Sequence, residues 1–171
     1  MIQSYLTGVD LVITMVYCII ILMYSHKIQQ TYIERFSYYK YFTYGMLARI
    51  GVGLFFGFIY LFFYGGGDTF YYFRGAESLV KLGYIKDFSA FFRILLGDRA
   101  PELYLFDWQT GHPTYFNDAN SFAVCRFMVP FYIMGMGSFW GTLLVMNAFL
   151  YIPIWNFYRM LCSKYPHMDG K

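Results

Sequence analysis

The sequence predicts an all-α integral membrane protein, with three transmembrane helices and amphipathic interfacial helices in a long outer loop. Of its 171 residues, 58% are hydrophobic and only 13% are charged. Soluble domains carry about 25% charged residues, so a soluble fold of this size could not cover its surface. Aromatic residues make up 25% of the chain, and Tyr and Trp favour the membrane–water interface. A lipid environment accounts for all three observations, and a soluble enzyme is excluded.

The charge and the cysteines exclude two further classes of function. The net charge is only +3, and no run of Lys and Arg could follow a nucleic-acid backbone. We therefore expect no nucleic-acid partner. Cys18, Cys125 and Cys162 show no metal-binding spacing. They are interpreted as small apolar residues, without a disulfide framework or a zinc site.

The first apolar run extends from Leu11 to Tyr24 and predicts the first span. Extended back to Tyr5 it has 20 residues, and about 20 residues cross a hydrocarbon core of about 30 Å. Asp10 then lies near one end, where a carboxylate can reach the interface. The run lacks a basic leader and a small-residue cleavage site, so we expect it to remain in the mature protein. The polar residues 25–42 are predicted to form the following loop.

The second apolar run, Tyr44 to Tyr64, predicts the second span. Its single charge, Arg49, lies near its start, where a long side chain can extend back to the headgroups. Gly53 and Gly57 form a GxxxG step that would permit close helix packing. Glycine is also common in membrane helices generally, so this step is open to either interpretation.

Residues 65–120 are predicted to form a long extracytoplasmic loop with two helices. Three glycines, 65–67, end the second span, and apolar residues at helical spacing predict a helix from Thr69 to Leu82. A second helix is predicted from Phe88 to Leu96, with Asp87 as its N-cap and Gly97 at its end. Residues 98–120 contain Pro and Gly and predict an irregular segment.

The last apolar region, 121–161, is too long for one span and barely long enough for two. Loop 25–42 and tail 159–171 each carry a charge of +2, whereas segment 65–120 carries −2. Because inner loops are enriched in Lys and Arg, this favours three spans with the N-terminus outside and the tail inside. Residues 121–137 then form an interfacial or re-entrant half-helix, and 138–160 the third span. A four-span arrangement is the alternative.

The predicted organisation has four parts: 1–64 with two spans, the outer loop 65–120, the last apolar region 121–161 and the basic tail 162–171. A bundle with so few helices and so large an outer loop leaves the spans without obvious partners. We therefore expect this chain to be the N-terminal piece of a larger bundle, or a subunit that binds partner subunits.

Asp68 is the leading candidate for chemistry. It lies in YGGGDTFYYFRGA, residues 64–76, where a span ends, a glycine turn follows and a carboxylate begins the next helix. This position places the carboxylate at the outer membrane face, where a lipid headgroup and an aqueous substrate could meet. The alternative is an ordinary linker in which Asp68 only caps the helix, over Tyr71 or Tyr72.

These residues resemble the start of GT-C superfamily glycosyltransferases, and also related bacterial polysaccharide polymerases. The likeness extends over about residues 43–160, through GGGDTFYYFRGA and the Arg-led run CRFMVPFYIMGMGSFWGTLL that begins at Cys125. The resemblance implies a multi-span enzyme of the bacterial cytoplasmic membrane that uses a polyprenyl-phosphate-linked sugar. It also implies that Asp68 acts as catalytic base or as a metal ligand. This chain has Asp68-Thr69 where the family often has two acids, and a whole helix precedes the expected first helix.

The chemistry of sugar transfer suggests roles for further residues. Arg74 or Arg126 could hold the departing phosphate, although Arg126 could instead be a snorkelling anchor at a helix start. Tyr72 is near Asp68, and Trp108 offers a ring on which a sugar could stack. Magnesium or manganese would suit a site made of a carboxylate and a phosphate, with Asp68 as the protein ligand.

A second polar cluster, DWQTGHPTYFND at 107–118, contains Asp107, His112 and Asp118. Its spacing matches no established metal motif, so an ordinary polar loop is the favoured interpretation. Two hypotheses for the whole chain follow. The first is a transferase-like membrane enzyme with its site at the outer face. The second is a non-catalytic membrane subunit, or part of a transporter, whose outer loop is a docking surface.

Overall fold

The computed structural model describes residues 7–98 and 102–165, and these fold into six α-helices without a strand among them. A 3₁₀ helix, Ser37–Tyr41, precedes the second α-helix, and another, Glu102–Leu105, follows the fourth. The α-helices are α1 (Gly8–Ile33), α2 (Phe42–Phe62), α3 (Asp68–Ile85), α4 (Phe88–Leu96), α5 (Ala119–Met134) and α6 (Phe139–Lys164). The predicted all-helical class is therefore confirmed.

Helix α1 begins at a capping box and continues beyond its predicted end. The Thr7 side chain accepts from the Asp10 backbone N–H, and the Asp10 carboxylate accepts from the Thr7 backbone N–H at 3.1 Å. The prediction that 25–42 is a loop is wrong over most of its length, because helix continues to Ile33 and a 3₁₀ helix follows. Ile28 and Ile33 supply the reason, since both pack on the core between α1, α2 and α6. Tyr5 lies outside the described residues.

Helices α1, α2 and α6 alternate in direction. The start of α1 meets the start of α6, where Ile13 lies beside Gly141. The two ends of α2 contact α6 in reverse order, with Gly57 beside Leu143 and Gly45 beside Tyr151. One end of the bundle therefore contains the beginnings of α1 and α6 and the end of α2.

The predicted GxxxG step forms a packing face between α2 and α6. A Cβ atom on Gly57 would lie 2.6 Å from Cδ1 of Leu143, and one on Gly53 would overlap the Asn147 side chain. Either added Cβ atom would force a side chain of α6 to shift, so these glycines allow the two helices to pack closely. The close-packing interpretation of these glycines agrees with the structure.

Helices α3, α4 and α5 form a second layer with its own core. Leu79, Leu82, Ile94 and Phe122 are fully buried there, and Phe139 connects this core to the start of α6. Gly75 of α3 faces Cys125 of α5, where an added Cβ would lie 2.9 Å from the cysteine Cβ. The predicted outer loop is thus a packed helical layer.

The helix boundaries in this layer largely agree with the local sequence signals. Helix α4 has the predicted bounds, with the Asp87 carboxylate accepting from the backbone N–H groups of Ser89 and Ala90, and Gly97 at φ 117°. Helix α3 begins one residue earlier and ends three residues later than predicted. The N-cap position of α3 belongs to Gly67, at φ 80°, and Asp68 is the first helical residue without a capping hydrogen bond. The capping alternative for Asp68 is therefore wrong.

The hydrophobic helices limit the number of spans. Gly8–Ile33 and Ser37–Phe62 are long and apolar enough to cross a membrane, and α5 with α6 adds a third candidate if this bent pair is one span. The bend between α5 and α6 is 104°, at a turn where Gly137 has φ 72°. Two to three candidate spans agree with the predicted membrane protein. Tail residues 166–171 lie outside the described residues.

Candidate functional site

Asp68 lies at the end of the bundle where α2 ends, and its carboxylate is exposed. The Gly65–Gly67 turn, in which all three residues have positive φ, directs the chain from α2 into α3. The hydroxyl of Tyr115, which lies 47 residues further along the chain, donates a hydrogen bond of 2.6 Å to Oδ1 of Asp68. This contact joins the start of α3 to the loop that precedes α5.

Two more tyrosines surround this pair. The ring centroids of Tyr72 and Tyr115 are 5.2 Å apart, and Tyr71 meets Tyr115 edge-on at 5.9 Å. The hydrogen bond to the Asp68 carboxylate, followed by desolvation, raises the pKa of Tyr115 to about 12. The Tyr115 hydroxyl therefore stays protonated and donates a hydrogen bond to Asp68 throughout the physiological pH range. We name Asp68, Tyr71, Tyr72 and Tyr115 the tyrosine–aspartate cluster.

A separate polar pocket of about 480 Å³ lies on another face of α3. Arg74 and Trp108, both predicted to bind substrate, line it together. Its other charged or titratable lining residues are Asp10, Glu77, Lys81 and His112. Because Asp10 and Gly137 also line this pocket, it lies at the end of the bundle that contains the beginnings of α1 and α6. We name it the outer polar pocket, after the predicted orientation.

The outer polar pocket combines charged groups with an exposed aromatic ring. Nζ of Lys81 lies 2.8 Å from Oε1 of Glu77, so one cation is already paired along α3. Arg74 and His112 are exposed, and the Trp108 side chain is 86% exposed. Guanidinium groups bind phosphate and carboxylate oxygens, and indole rings stack on sugar faces. The pocket is therefore suited to a polar ligand that carries both a ring and an anionic group.

The structure does not bring Asp68 and Arg74 into one site. They are six residues apart on α3, which is a rise of about 9 Å and a rotation of about 120° to a different face. The 107–118 loop packs on α3 just beyond Arg74, where Pro113 lies about 4.0 Å from the Cβ position of Gly75. Asp68 and Tyr72 therefore belong to the tyrosine–aspartate cluster, whereas Arg74 and Trp108 belong to the outer polar pocket.

Arg126, the other predicted phosphate ligand, lies in neither place. It is half-buried on α5, with its guanidinium 5.9 Å from the Phe122 ring centroid and against Gly97, the C-cap of α4. A cation at this position complements the negative end of the α4 dipole. Its Nε is buried without a hydrogen-bond partner among the described residues. The surroundings of Arg126 favour a structural role over contact with a ligand bound at Asp68.

The two acids of the 107–118 segment have structural partners. Nζ of Lys86 lies 2.6 Å from Oδ2 of Asp107, and this hydrogen bond lowers the pKa of Asp107 to about 2. The Asp107 carboxylate also accepts from the backbone N–H groups of Gln109 and Thr110. Asp118 caps α5 by accepting from the Asn120 backbone N–H. These contacts favour the polar-loop interpretation of this segment.

Asp68 does not belong to a ready-made metal site among the residues that the structure describes. Within 7–98 and 102–165, no set of three or more His, Cys, Asp or Glu side chains could hold a metal ion. Magnesium is often held by only one or two carboxylates, with the remaining oxygens coming from substrate phosphates and water. Asp68 fits that arrangement as a single ligand, and a dedicated protein cage is not present among the described residues.

Sequence reasoning missed most partners of the predicted residues. The hydrogen bond between Asp68 and Tyr115 could not be predicted from spacing, because the two residues are 47 positions apart. Asp10, Glu77 and Lys81 were not among the predicted site residues. Helical periodicity alone would have placed Glu77 and Lys81 on the Arg74 face of α3, at spacings of three and seven residues.

The fold and its polar end define a class: a helical protein with two or three candidate membrane-spanning helices and a polar ligand-sized pocket at one end. Comparison of the chain with protein-family models, curated proteins and solved structures gives no match. The geometry of the described residues therefore carries the functional argument.

Proposed function

We propose that this chain is the membrane-embedded part of an enzyme that transfers sugar from a polyprenyl-phosphate donor at the outer membrane face, with Asp68 as the base. The observation that carries this proposal is the exposed Asp68 carboxylate, positioned by Tyr115 at the first helical residue after an apolar helix. A reacting carboxylate there would meet a lipid-linked donor and an aqueous acceptor together. The resemblance to GT-C glycosyltransferases favours the same role.

The proposed step requires one proton transfer and one bond exchange. Asp68 accepts the proton of the acceptor hydroxyl as that oxygen bonds to the anomeric carbon of the donor. The bond between the anomeric carbon and the phosphate oxygen breaks, and the phosphate leaves on its lipid with the bonding electrons. Tyr115 holds Oδ1 of Asp68 by its hydrogen bond, which orients the carboxylate. Positive charge near the phosphate would stabilise the leaving group.

Arg74, in the outer polar pocket, is the proposed phosphate ligand, and Trp108 the ring for sugar stacking. This role requires the donor to extend from Asp68 to a different face of α3, about 9 Å further along the helix. A divalent cation, if used, would be held by Asp68 and the donor phosphate, where it would neutralise charge on that phosphate. Arg126 is not proposed as a ligand, because its guanidinium contacts Gly97 and Phe122.

The proposed topology has three spans, α1, α2 and α6, with α5 as an interfacial half-helix. The 104° bend between α5 and α6 supports this arrangement, since α5 then lies roughly across the direction of α6. The alternating directions of α1, α2 and α6 place the outer polar pocket and Asp68 at one end. We propose that this end faces outward from a bacterial cytoplasmic membrane and that the basic tail faces inward.

A second proposal is a non-catalytic membrane subunit or transporter part, and the separation of Asp68 from Arg74 favours it. In that case the hydrogen bond between Asp68 and Tyr115 only fixes the loop to α3. The outer layer would then be a docking surface for partner subunits or for the remaining helices of a longer chain.

The decisive experiment measures consumption of a polyprenyl-phosphate-linked sugar in membranes that contain the full natural gene product. The Asp68→Asn variant is expected to lose turnover by about 10²-fold or more, which is the usual contribution of a general base. Asp98→Asn, which removes an exposed outer carboxylate at the end of α4, is the matched control and should retain activity. Equal turnover of wild type and Asp68→Asn, at equal protein levels, would reject Asp68 as the base, and no detectable turnover in wild type would favour the subunit.

A further inference from the structure

We propose that the opposite end of the bundle contains a binding site for an anionic phospholipid headgroup, formed between the start of α2 and the end of α6. A cleft of about 660 Å³ lies there, open to the surroundings. Tyr41 and Tyr44 line it from the α2 side, and Tyr151, Trp155 and Tyr158 from α6. The proposal depends neither on the transferase function nor on which side of the membrane this end faces.

The first argument is a buried donor without an acceptor. Trp155 is 6% exposed, and its indole Nε1 has no hydrogen-bond partner among the described residues. A buried N–H group without a partner is costly, so native structures usually supply one from protein or from a bound molecule. Trp155 lines the cleft, so an oxygen-rich group bound there could supply the acceptor.

The second argument is a cation beside this donor. Arg159 follows Trp155 by one helical turn, and residues four apart lie on one face of a helix. Its guanidinium carbon lies 5.8 Å from the ring centroid of Tyr39, and the centroid of that ring lies 5.3 Å from the centroid of the Trp155 ring. The Arg159 Nε is also buried without a hydrogen-bond partner among the described residues. A cation therefore lies beside the same Tyr39 ring that the Trp155 indole contacts, next to the residues that line the cleft.

The third argument is charge complementarity over the whole end of the bundle. Residues 25–42 and 159–165 contain five basic side chains and one carboxylate, that of Glu34. The basic residues are Lys27, Arg35, Lys40, Arg159 and Lys164. Clusters of basic residues beside transmembrane helices attract anionic lipids, and basic pockets between such helices bind their headgroups.

The aromatic lining indicates the depth in the membrane at which the ligand would bind. Tyr and Trp rings concentrate at the level of lipid headgroups, with their apolar bodies towards the acyl chains and their polar atoms towards water. Tyr44 is 70% exposed and Tyr41 is 42% exposed, so both can contact a lipid from outside the bundle. A phosphate at Arg159 and Trp155, with its glycerol and acyl chains along the tyrosines, satisfies both sets of contacts.

The test measures lipid binding to the purified full chain by native mass spectrometry, with phosphatidylglycerol and phosphatidylcholine as probes. Wild type should bind phosphatidylglycerol in preference to phosphatidylcholine. Trp155→Phe keeps the aromatic ring but removes the donor, and Arg159→Gln removes the charge. Because each change deletes a hydrogen bond to a charged phosphate, each should weaken phosphatidylglycerol binding by about tenfold.

Two controls make the result specific to this cleft. Trp140→Phe makes the same ring change at the other end of α6, and Arg93→Gln removes one cation from α4. Both should bind phosphatidylglycerol as wild type does. Equal binding of the two lipids by wild type, or unchanged binding by both Trp155→Phe and Arg159→Gln, would overturn the proposal. Displacement of phosphatidylglycerol by an equal concentration of inorganic phosphate would show an anion site without a lipid and would overturn it as well.

Discussion

Replacement of Gly53 by alanine tests the packing of α2 against α6 most directly. A Cβ atom there would lie 2.5 Å from Cγ and 2.7 Å from Oδ1 of Asn147. The Asn147 side chain cannot withdraw freely, because it is buried and its amide donates to the Leu143 carbonyl at 2.8 Å. The substitution must therefore move the amide, break that hydrogen bond or separate the helices.

Gly51 provides a matched control two residues away in the same helix. A Cβ atom on Gly51 would meet nothing within 4 Å. Both alanines gain the same helix propensity, about 1 kcal/mol in solution scales, so this contribution cancels when the two variants are compared. The remaining difference is the overpacking cost at Gly53, about 1–3 kcal/mol.

The assay is reversible unfolding of the purified protein in mixed micelles of mild detergent and SDS. We expect Gly53→Ala to be less stable than Gly51→Ala by about 1–3 kcal/mol. Adding Asn147→Ala to Gly53→Ala should recover part of this difference, because the smaller side chain no longer overlaps the new methyl group. Equal stability of Gly51→Ala and Gly53→Ala would refute the close approach of α2 and α6.

Two further predictions concern the pH response and the topology. The pKa of Asp107 is lowered from 3.8 to about 2, mainly by its hydrogen bond from Lys86. The ion pair should therefore stabilise the fold fully above about pH 4, and this stabilisation should be lost as the pH falls through about 2. Thermal unfolding of wild type and Asp107→Asn should therefore differ at pH 6 and converge near pH 2, whereas a pH-independent difference would contradict the ion pair. Single cysteines at Ser89 and Ser163, in a background without native cysteines, test the orientation with a membrane-impermeant maleimide. We expect labelling at Ser89 but not at Ser163 in intact cells, and labelling of both would reject three spans.

Much of the secondary structure followed from local sequence signals. Helix α4 had its predicted bounds, because a capping Asp87 and a left-handed Gly97 act within one turn of the helix ends they define. Hydropathy likewise located the two apolar helices that could each cross a membrane. The predicted end of α1 was wrong. The helix continues through a polar stretch of the sequence because Ile28 and Ile33 pack on the core.

The arrangement of the candidate site was harder to predict from the sequence than the helices were. Asp68 and Arg74 lie in one short motif, which predicted a common site, yet the rotation of the helix places them on different faces of α3. Arg126 was a candidate ligand from its position before an apolar run, whereas the fold places its guanidinium against the end of α4. Each of these outcomes depends on contacts between residues far apart in the chain.

The sequence by itself determined that the protein is helical and apolar enough for a membrane, because composition, periodicity and capping act over a few residues. The tertiary structure alone decided that Tyr115 holds Asp68, that Arg74 and Trp108 share a pocket with Asp10, and that Gly53 meets Asn147. The physical reason is that these pairs are brought together by the packing of α2 on α6 and of the 106–118 loop on α3. Such packing is set by the sum of many contacts across the fold, and no local pattern specifies it.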